Sequence, residues 1–182
     1  SLSNAFFARD PVTCARELIG CGFRWRGVGG LVVETEAYAA AEDEACHTFF
    51  KPSARRFVAD HSVGDSYIYL NYGVHWLVNV LTKSQDHGDG FVLLRALQPK
   101  WEMTTMRERR ARVRDTDLCS GPGKLSQALG LDKTQHGMPI ASCFEQGEGE
   151  VPIVIAGPRI GISRAKKRPW RFVFADNPHV SV

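Results

Sequence analysis

The stretch from Leu31 to Tyr38 constrains the fold of this chain more than any other, because it has the pattern of a β-strand with two dissimilar faces. Side chains alternate between the faces of a strand, so Glu34, Glu36 and Tyr38 share one face and the residues between them share the other. A carboxylate two residues from a phenol on one face can form the wall of a site that stacks a flat ligand and activates water. A second segment, residues 67–73, adds three phenols and a turn. Together the two segments indicate a pocket for an aromatic base.

Length and composition indicate one globular domain spanning residues 1–182. At 43% hydrophobic and 24% charged residues, the chain has an ordinary soluble composition. It contains no run of about 18 apolar residues, so we expect no membrane span. The N-terminal residues lack the pattern of a secretory signal. Five cysteines without a Cys-x-x-Cys motif favour a reducing compartment. We therefore expect the cytoplasm and nucleoid of a prokaryote, or the nucleus of a eukaryote. The histidines lack zinc spacing, so we expect no metal and no cofactor.

The basic residues are more informative in their distribution than in their sum, since a net charge of +3 does not identify a nucleic-acid-binding protein. Arginines are concentrated in residues 107–114, and lysines and arginines again in residues 164–171 around Trp170. Each cluster by itself is typical of a solvated face. Two clusters in a chain that also has base-binding signals favour contact with phosphates.

Local patterns predict an α+β fold built from consecutive antiparallel hairpins. Asp10 suits a helix N-cap, Pro11 suits the first helical position, and Gly20 suits a stop. We expect strands at residues 21–25, 31–38, 67–70, 74–81, 91–97, 153–156 and 171–174, a helix at residues 100–114 and a second helix within residues 118–129. Residues 39–66 have weak periodicity and are expected to form a functional loop with one short helix. Hairpins with helices between them favour a mostly antiparallel sheet.

Two carboxylates compete for the role of a general base. A strand carboxylate is most often a solvated surface group, but either Glu34 or Glu36 could hold and deprotonate a water molecule. Spacing alone does not separate them. Downstream, the acidic run Glu42–Glu44 has the character of a helix N-terminus favoured by the helix dipole. His47 gains functional interest only as a third flat ring beside the tyrosines of the two strands.

Three further positions and one segment are candidates for contact with a ligand, although Asn79, Arg95 and the segment fit a structural role equally well. Tyr72 lies at the predicted hairpin tip, where a large exposed aromatic suits insertion into a base stack. Asn79 and Arg95 interrupt apolar strands, and each would cost about 1–3 kcal/mol if it were buried without a partner. Ser120–Lys124 resembles a phosphate cradle at a helix start, with a simple cap and turn as the alternative. It is not a P-loop, because the glycine and hydroxyl residues of that motif are missing from their positions.

Several blocks of the chain, taken in order, match a known family. The blocks are Val33–Tyr38, Glu42–His47, Tyr67–Tyr69, Tyr72–Gly73, Gly88–Gly90, Leu93–Leu97, Leu118–Leu125 and Pro169–Phe172. In these blocks the chain resembles the alkyladenine (3-methyladenine) DNA glycosylase family. Their order and spacing make chance similarity an inadequate explanation.

The resemblance implies a role for each candidate residue. It implies that Glu36, and not Glu34, is the general base, and that Arg95 lies near the nucleophilic water and the phosphate of the target nucleotide. Asn79 corresponds to a side chain that screens bases by clashing with the exocyclic amine of normal guanine. Tyr72 corresponds to a tyrosine that fills the gap left by a flipped nucleotide. The base-stacking walls correspond to Tyr38, His47 and Tyr69, and DNA-backbone contacts are expected at Arg55, Ser120, Gly121 and Lys124.

The resemblance also implies the activity and the partners. Members of the family have one compact domain around a curved antiparallel sheet with a protruding hairpin, act as monomers and need no metal. The implied reaction is hydrolysis of the N-glycosidic bond of 3-methyladenine, 7-methylguanine, hypoxanthine or ethenoadenine in double-stranded DNA, without AP lyase activity. One segment departs from the family pattern, because Arg56 stands where relatives usually carry Asn.

Two other classes of function fit the residues alone. A non-catalytic module that binds DNA or RNA would also combine basic and aromatic side chains. A carbohydrate hydrolase could use Glu34 and Glu36 as its pair of carboxylates, although such enzymes place the two groups on either side of the sugar bond.

Overall fold

Two long strands, β2 (Val28–Ala39) and β5 (Gly90–Trp101), form the centre of the sheet in a computed structural model that describes residues 1–149 and 151–182. The other strands are β1 (Gly22–Trp25), β3 (Ser66–Asn71), β4 (His75–Thr82), β6 (Phe144–Glu145), β7 (Val154–Gly157) and β8 (Arg171–Phe174). The helices are α1 (Asn4–Phe7), α2 (Pro11–Glu17), α3 (His47–Phe50), α4 (Pro52–Asp60), α5 (Met103–Arg109) and α6 (Pro122–Leu129).

The strands pair in the order β3-β4-β5-β2-β1-β6, and all these pairings are antiparallel. β8 pairs with the second half of β2, beyond the point where β1 ends, and β7 pairs with β8. Because β2 has partners along both edges, its side chains lie at the middle of the molecule. The predicted α+β class, with one compact domain and a mostly antiparallel sheet, is confirmed.

The local signals at the first helix and the first hairpin are confirmed. The side chain of Asp10 accepts a hydrogen bond of 2.9 Å from the amide of Thr13, so it caps α2 as expected. β1 and β2 form a hairpin in which Gly29 lies against β1. A Cβ atom at Gly29 would lie 1.9 Å from the carbonyl oxygen of Phe23, so only glycine allows the strands to approach this closely.

The two faces of the sheet bury different kinds of side chain. One face packs against α2, α5 and α6 and forms the main core, with Val78 and Val80 of β4 and Val92 and Leu94 of β5. The opposite face supports a smaller cluster around Phe57 of α4. The members of this second cluster are Cys46, Ala54, Phe57, Val58, Tyr67, Leu81 and Phe91, with Tyr38 and Tyr69 packed against them.

An irregularity in the central pair aims two charged side chains toward the second face. The register between β2 and β5 shifts on both sides of Glu34, so that Val33 and Arg95 have no directly opposite residue. Paired shifts of this kind bend the strands locally and re-aim side chains. They bring Glu34 and Arg95 to the same face as Glu36 while Val32, two residues earlier, faces the main core.

Three expectations about local structure are wrong. Residues 39–66 contain two helices, α3 and α4, rather than one. The acidic run Glu42–Glu44 does not begin a helix, because α3 starts only at His47 and Glu42 has a left-handed φ of 64°. The helix expected within residues 100–114 is confined to α5, because β5 continues to Trp101 and Glu102 has a φ of 58°.

The described residues show two further general features. No helix among them has the length and hydrophobicity to cross a membrane, and no group of three or more acidic, histidine or cysteine side chains is arranged to hold a metal ion. All five cysteines are free thiols, and four of them are buried. Burial raises the pKa of the Cys14 and Cys119 thiols to about 12, so these cysteines act as small apolar side chains in the main core.

Candidate active site

A row of side chains crosses five strands on the second face of the sheet. Tyr67 of β3 lies opposite Asn79 of β4, which lies opposite Leu93 of β5. Leu93 in turn lies opposite Glu36 of β2, and Glu36 lies opposite Arg171 of β8. Directly paired residues of antiparallel strands project on the same side of a sheet. The row therefore places an aromatic ring, an amide, a carboxylate and a guanidinium along one line.

Tyr67, Asn79 and Leu93 of this row line a cavity of about 620 Å³, a size typical of small-molecule pockets. The floor is formed by β3, β4, β5 and β2. Residues 44–50, including the start of α3, form one wall, and residues 160–164 form another. The cavity therefore brings together three segments that are distant along the chain.

Glu36 is fully buried beneath the cavity lining, next to Tyr38, Arg95 and Ile160, which do line the cavity, and each of its oxygens has a defined partner. The Tyr38 hydroxyl donates to Oε1 over 2.7 Å, and the amide of Ile160 donates to Oε2 over 2.7 Å. Arg95 Nη1 lies 3.7 Å from the same Oε2. A carboxylate has about four acceptor sites, so these contacts leave capacity for a water molecule. The arrangement fits a carboxylate that holds and deprotonates water.

Glu34 has the opposite character, because its carboxylate is saturated by the protein. Oε2 accepts bonds of 2.8 Å from Arg95 Nε, Arg171 Nε and the Ser181 hydroxyl, and Oε1 accepts one of 2.7 Å from the Ser181 amide. Burial alone would raise the pKa of Glu34, but the Ser181 amide and the two guanidinium groups outweigh burial and hold the pKa below its usual value. Glu34 is thus an anchor for Arg95, and the geometry separates two carboxylates that spacing did not.

The three predicted stacking residues all line the cavity. The His47 ring lies 4.3 Å from the Tyr69 ring, centroid to centroid. Tyr67, the first of the three tyrosines of residues 67–73, fixes His47 through a bond of 2.9 Å between its hydroxyl and Nδ1. The geometry therefore presents Tyr38, His47 and Tyr69 as flat walls around the carboxylate.

Burial sets the protonation states of these rings. It lowers the pKa of His47 to about 4, with a further contribution from the charge of Lys51, so the imidazole is neutral at pH 7. Burial, and then the charge of Glu36, raises the pKa of the Tyr38 hydroxyl far above its usual value. The Tyr38 hydroxyl therefore stays protonated and continues to donate to Glu36.

The two polar residues of the apolar strands have the partners that we expected. Asn79 donates from Nδ2 to the carbonyl of Tyr67 over 3.2 Å, and Arg95 donates to Glu34. Both side chains line the cavity. Asn79 and Arg95 can therefore contact a ligand, and when no ligand is bound each side chain still has a hydrogen-bond partner in the protein.

Tyr72 lies at the tip of the β3–β4 hairpin and is 86% exposed. Its φ of 52° and the φ of 67° at Gly73 place both central residues of the turn in the left-handed region. A tyrosine rarely adopts this conformation, so the turn holds an aromatic ring in solvent under local strain. The ring lines the mouth of the cavity.

The predicted backbone-contact residues lie in two places. Ser120 and Lys124 are neighbours, with Lys124 Nζ 3.5 Å from Ser120 Oγ, and Pro122 between them lines the cavity. Gly121 precedes α6 in an extended conformation. Arg55 is exposed on α4, and it is absent from the residues that line the cavity in the described part of the chain. A role in DNA binding stays a prediction for all four.

The basic clusters differ in how their charges are engaged. In the first, Arg107 makes two bonds of 2.9 Å to Asp115, and Arg109 and Arg110 donate to carbonyl groups around α6. In the second, Arg164 lines the cavity, and Lys166 and Lys167 are exposed on the same segment. The second cluster is therefore the better candidate for contacts with phosphate.

Comparison with known proteins identifies the family of the chain. The sequence profile of the family described as methylpurine-DNA glycosylase matches residues 5–178. The chain belongs to this family. The match includes Glu36 and every residue of the cavity described above, and it confirms the resemblance seen in the sequence blocks.

Individual relatives are similar over almost the whole chain. A protein of Rhodopseudomonas palustris, provisionally named a 3-methyladenine DNA glycosylase, is 41% identical over 182 residues, which are 99% of this chain and 87% of the relative. Proteins with the same provisional name from Nitrosospira multiformis and Rhizobium meliloti are 42% and 40% identical, over 96% and 97% of this chain.

Sequence reasoning missed several residues of this methylpurine-DNA glycosylase family site. The amide of Ile160 and the side chain of Arg159 come from a segment that carried no recognisable signal, and Asp43 was seen only as part of an acidic run. Phe49 and Phe50, both about half exposed, line the cavity. They follow His47 after a single threonine, which was the available hint. A backbone amide has no sequence signature, so Ile160 could not have been found.

Proposed function

We propose that this protein is a DNA glycosylase that hydrolyses the N-glycosidic bond of alkylated or deaminated purines in double-stranded DNA. A purine rotated out of the duplex enters the cavity and stacks against Tyr38, His47 and Tyr69. Glu36 then directs a water molecule at the sugar. The observation that carries this proposal is a fully buried carboxylate that lies directly beneath the lining of an aromatic cavity and is held by two residues of that lining, Tyr38 and Ile160.

Base flipping is consistent with the energetics of the cavity. Extruding a nucleotide costs a few kcal/mol, and least for a damaged base. Stacking on aromatic side chains is worth about 1–3 kcal/mol per base, so the rings of the cavity can offset that cost. The exposed ring of Tyr72 is placed to occupy the space that the flipped nucleotide leaves in the duplex.

In the proposed reaction, the bond between C1′ and the purine nitrogen breaks and the purine leaves with the electron pair. An N3- or N7-alkylated purine is cationic while it is attached to the sugar, so it leaves as a neutral molecule. Hypoxanthine is uncharged while attached, so it must be protonated to leave as a neutral molecule. The oxygen of water forms the new bond to C1′, and Glu36 takes the proton that the water loses. A general base of this kind contributes about 10²–10⁴-fold to the rate.

We further propose that the enzyme releases the base without cutting the strand. A lyase needs an amine that forms a Schiff base with the sugar. Among residues 1–149 and 151–182, no lysine lines the cavity. The amine of Lys51 lies outside this lining, 5.8 Å from the centroid of the Tyr69 ring. Borohydride trapping on lesion DNA is expected to give no covalent complex, and a trapped Lys51 adduct would refute hydrolysis without lyase activity.

The test is single-turnover base release from matched duplexes that carry hypoxanthine, ethenoadenine, 3-methyladenine or 7-methylguanine. Wild-type protein is expected to release at least one of these bases. Glu36→Gln is expected to bind lesion DNA but to lose about 10²–10⁴-fold in rate. Binding without release by the wild type would instead identify a non-catalytic module. Near-normal release by Glu36→Gln would remove Glu36 from the mechanism.

The geometry argues against a carbohydrate hydrolase that uses both carboxylates. Such enzymes place one carboxyl group on each side of the scissile bond, and one of the two must give and take protons. Glu34 accepts four hydrogen bonds from the protein, whereas Glu36 accepts two. The oxygens of Glu34 are therefore already occupied, and it cannot serve as a second catalytic carboxylate.

A further inference from the structure

A second ion pair lies fully buried behind the cavity. Arg159 Nη1 and Nη2 donate to the two oxygens of Asp43 over 2.7 and 2.9 Å, and both side chains have no exposed surface. Replacing such a pair with apolar residues is often neutral or stabilising, so burial of this kind is weak support for a role in stability alone. The contacts of the pair show what else it does.

Asp43 joins two walls of the cavity. Besides Arg159, its oxygens accept bonds from the amide of Ala39, at the end of β2, over 3.0 Å and from the amide of Ala45 over 3.2 Å. Ala45 lies two residues before His47 and lines the cavity. One carboxylate thus fixes the strand that carries Glu36 and Tyr38 to the wall that carries His47.

Arg159 adds the third wall. Its Nη1 also donates to the carbonyl of Ala37 over 3.0 Å, and its Nη2 to the carbonyl of Ala165 over 3.2 Å. The guanidinium lies 4.7 Å from the centroid of the Tyr38 ring and 5.2 Å from that of Trp170. The side chain therefore holds both ends of residues 159–165 against β2.

The segment held in this way carries the amide that contacts Glu36. Residues 158–167 contain no helix or strand, and in the described part of the chain none of them forms a backbone–backbone hydrogen bond with the sheet. Ile160 immediately follows Arg159. The position of its amide, 2.7 Å from Glu36 Oε2, therefore depends on side-chain contacts of Arg159 more than on secondary structure.

We propose that Asp43 and Arg159 are positioning residues, which hold the Ile160 amide on Glu36 and the Tyr38 ring against the base. This inference rests on the proposed role of Glu36 as the general base. Neither side chain contacts the reacting atoms. Their effect is transmitted through the Ile160 amide, through the Tyr38 ring and through the spacing of the three walls.

The role of the pair is tested with two variants. Arg159→Met keeps a long side chain between Tyr38 and Trp170 but removes the charge. The double variant Asp43→Asn/Arg159→Met removes both charges, so that no buried charge is left unpaired. A misplacement of about 1 Å can lower a rate by about 10²-fold, so single-turnover base release is expected to fall by about 10- to 100-fold in both. Arg159→Lys keeps the charge but not the two parallel bonds, so it is expected to recover only part of the rate.

One further measurement separates positioning from general damage. Independently of activity, the amide resonance of Ile160 in the ¹⁵N-labelled protein is expected to shift strongly in Arg159→Met and in Glu36→Gln.

Met106→Ala is the matched control, because Met106 is fully buried in the main core on the opposite face of the sheet. It lowers thermal stability without touching the cavity. Positioning is overturned if Arg159→Met releases bases at the wild-type rate. It is also overturned if Arg159→Met loses no more activity than a core control of the same melting temperature and its Ile160 resonance does not move. Failure of the proposed function is distinct from both, because wild-type protein would then release no base at all.

Discussion

The two faces of one sheet have different contents in this protein. On β4 and β5, Val78, Val80, Val92 and Leu94 point into an apolar core, whereas Asn79 and Leu93 point into the cavity. Neighbouring residues of the same strand thus serve packing on one side and the proposed chemistry on the other. The comparison shows that alternation lets a few strands stabilise the fold and build a polar site at the same time.

The faces also differ in what keeps their buried groups stable. The core face needs only complementary apolar shapes, which adjacent helices provide. The cavity face buries two glutamates, and each needs hydrogen-bond donors. Strand side chains supply some of them, from Tyr38, Arg95 and Arg171. The backbone amides come from irregular segments, since Ile160 donates to Glu36 and Ser181 donates to Glu34. A buried polar site therefore depends on loops in a way that the core does not.

The largest effect on stability is expected at Glu34. Glu34→Leu leaves the guanidinium groups of Arg95 and Arg171 buried near an apolar side chain, which is expected to cost about 3–5 kcal/mol in the free energy of unfolding. Urea denaturation measures this loss. Glu34→Gln keeps acceptor and donor groups and is the matched control, expected to lose less. Equal, small losses in the free energy of unfolding of the two variants would show that the buried charges of the cavity face do not depend on Glu34 for their stability.

Next in size is a pair of substitutions at adjacent residues of β5. Leu94→Ala creates a cavity in the main core and is expected to cost about 2–5 kcal/mol, with the rate per folded molecule unchanged. Leu93→Ala only enlarges an open cavity, so we expect a smaller cost in stability and a changed preference among lesions. Denaturation curves and single-turnover rates on both variants test whether one face of β5 serves stability and the other serves lesion preference. The same stability loss and the same lesion preference in the two variants would contradict this division.

A pH dependence follows from His47. The pKa of His47 in the folded protein is lowered to about 4 by burial and by Lys51, below its ordinary value of 6.5. Between these values the unfolded chain binds the proton more readily, so stability falls as the pH falls from 6.5 to about 4, and this group adds nothing further below that. Melting temperatures across this range are expected to fall less steeply in His47→Gln. The exposed His87→Gln should behave like the wild type.

The smallest effect on stability is expected at Tyr72, which belongs to neither buried face. Tyr72→Gly relieves the left-handed conformation but increases the freedom of the unfolded chain, so the free energy of unfolding is expected to change by less than about 1 kcal/mol. Base release from duplex DNA should nevertheless fall, while release from a single strand should change little. Equal losses on both substrates would indicate that the ring contacts the base rather than the duplex.

The sequence anticipated most of the scaffold and the floor of the candidate site. The hairpins, the cap at Asp10, the shared face of Glu34, Glu36 and Tyr38, and the partners required by Asn79 were all predicted and are present. These features depend on alternation and on neighbours a few residues apart, which a single sequence displays. The errors lie where tertiary contacts override local pattern, as in the acidic run, where Asp43 pairs with Arg159 instead of starting a helix.

By itself, the sequence determined the class of fold, the family and the strand face on which the proposed chemistry occurs. Only the tertiary structure distinguished Glu34 from Glu36 by contacts and joined the walls of the cavity. The decisive bond to Glu36 comes from the amide of a residue 124 positions away. A backbone amide is the same at every position except proline, so no residue type can signal such a bond, and it becomes visible only once the chain has folded.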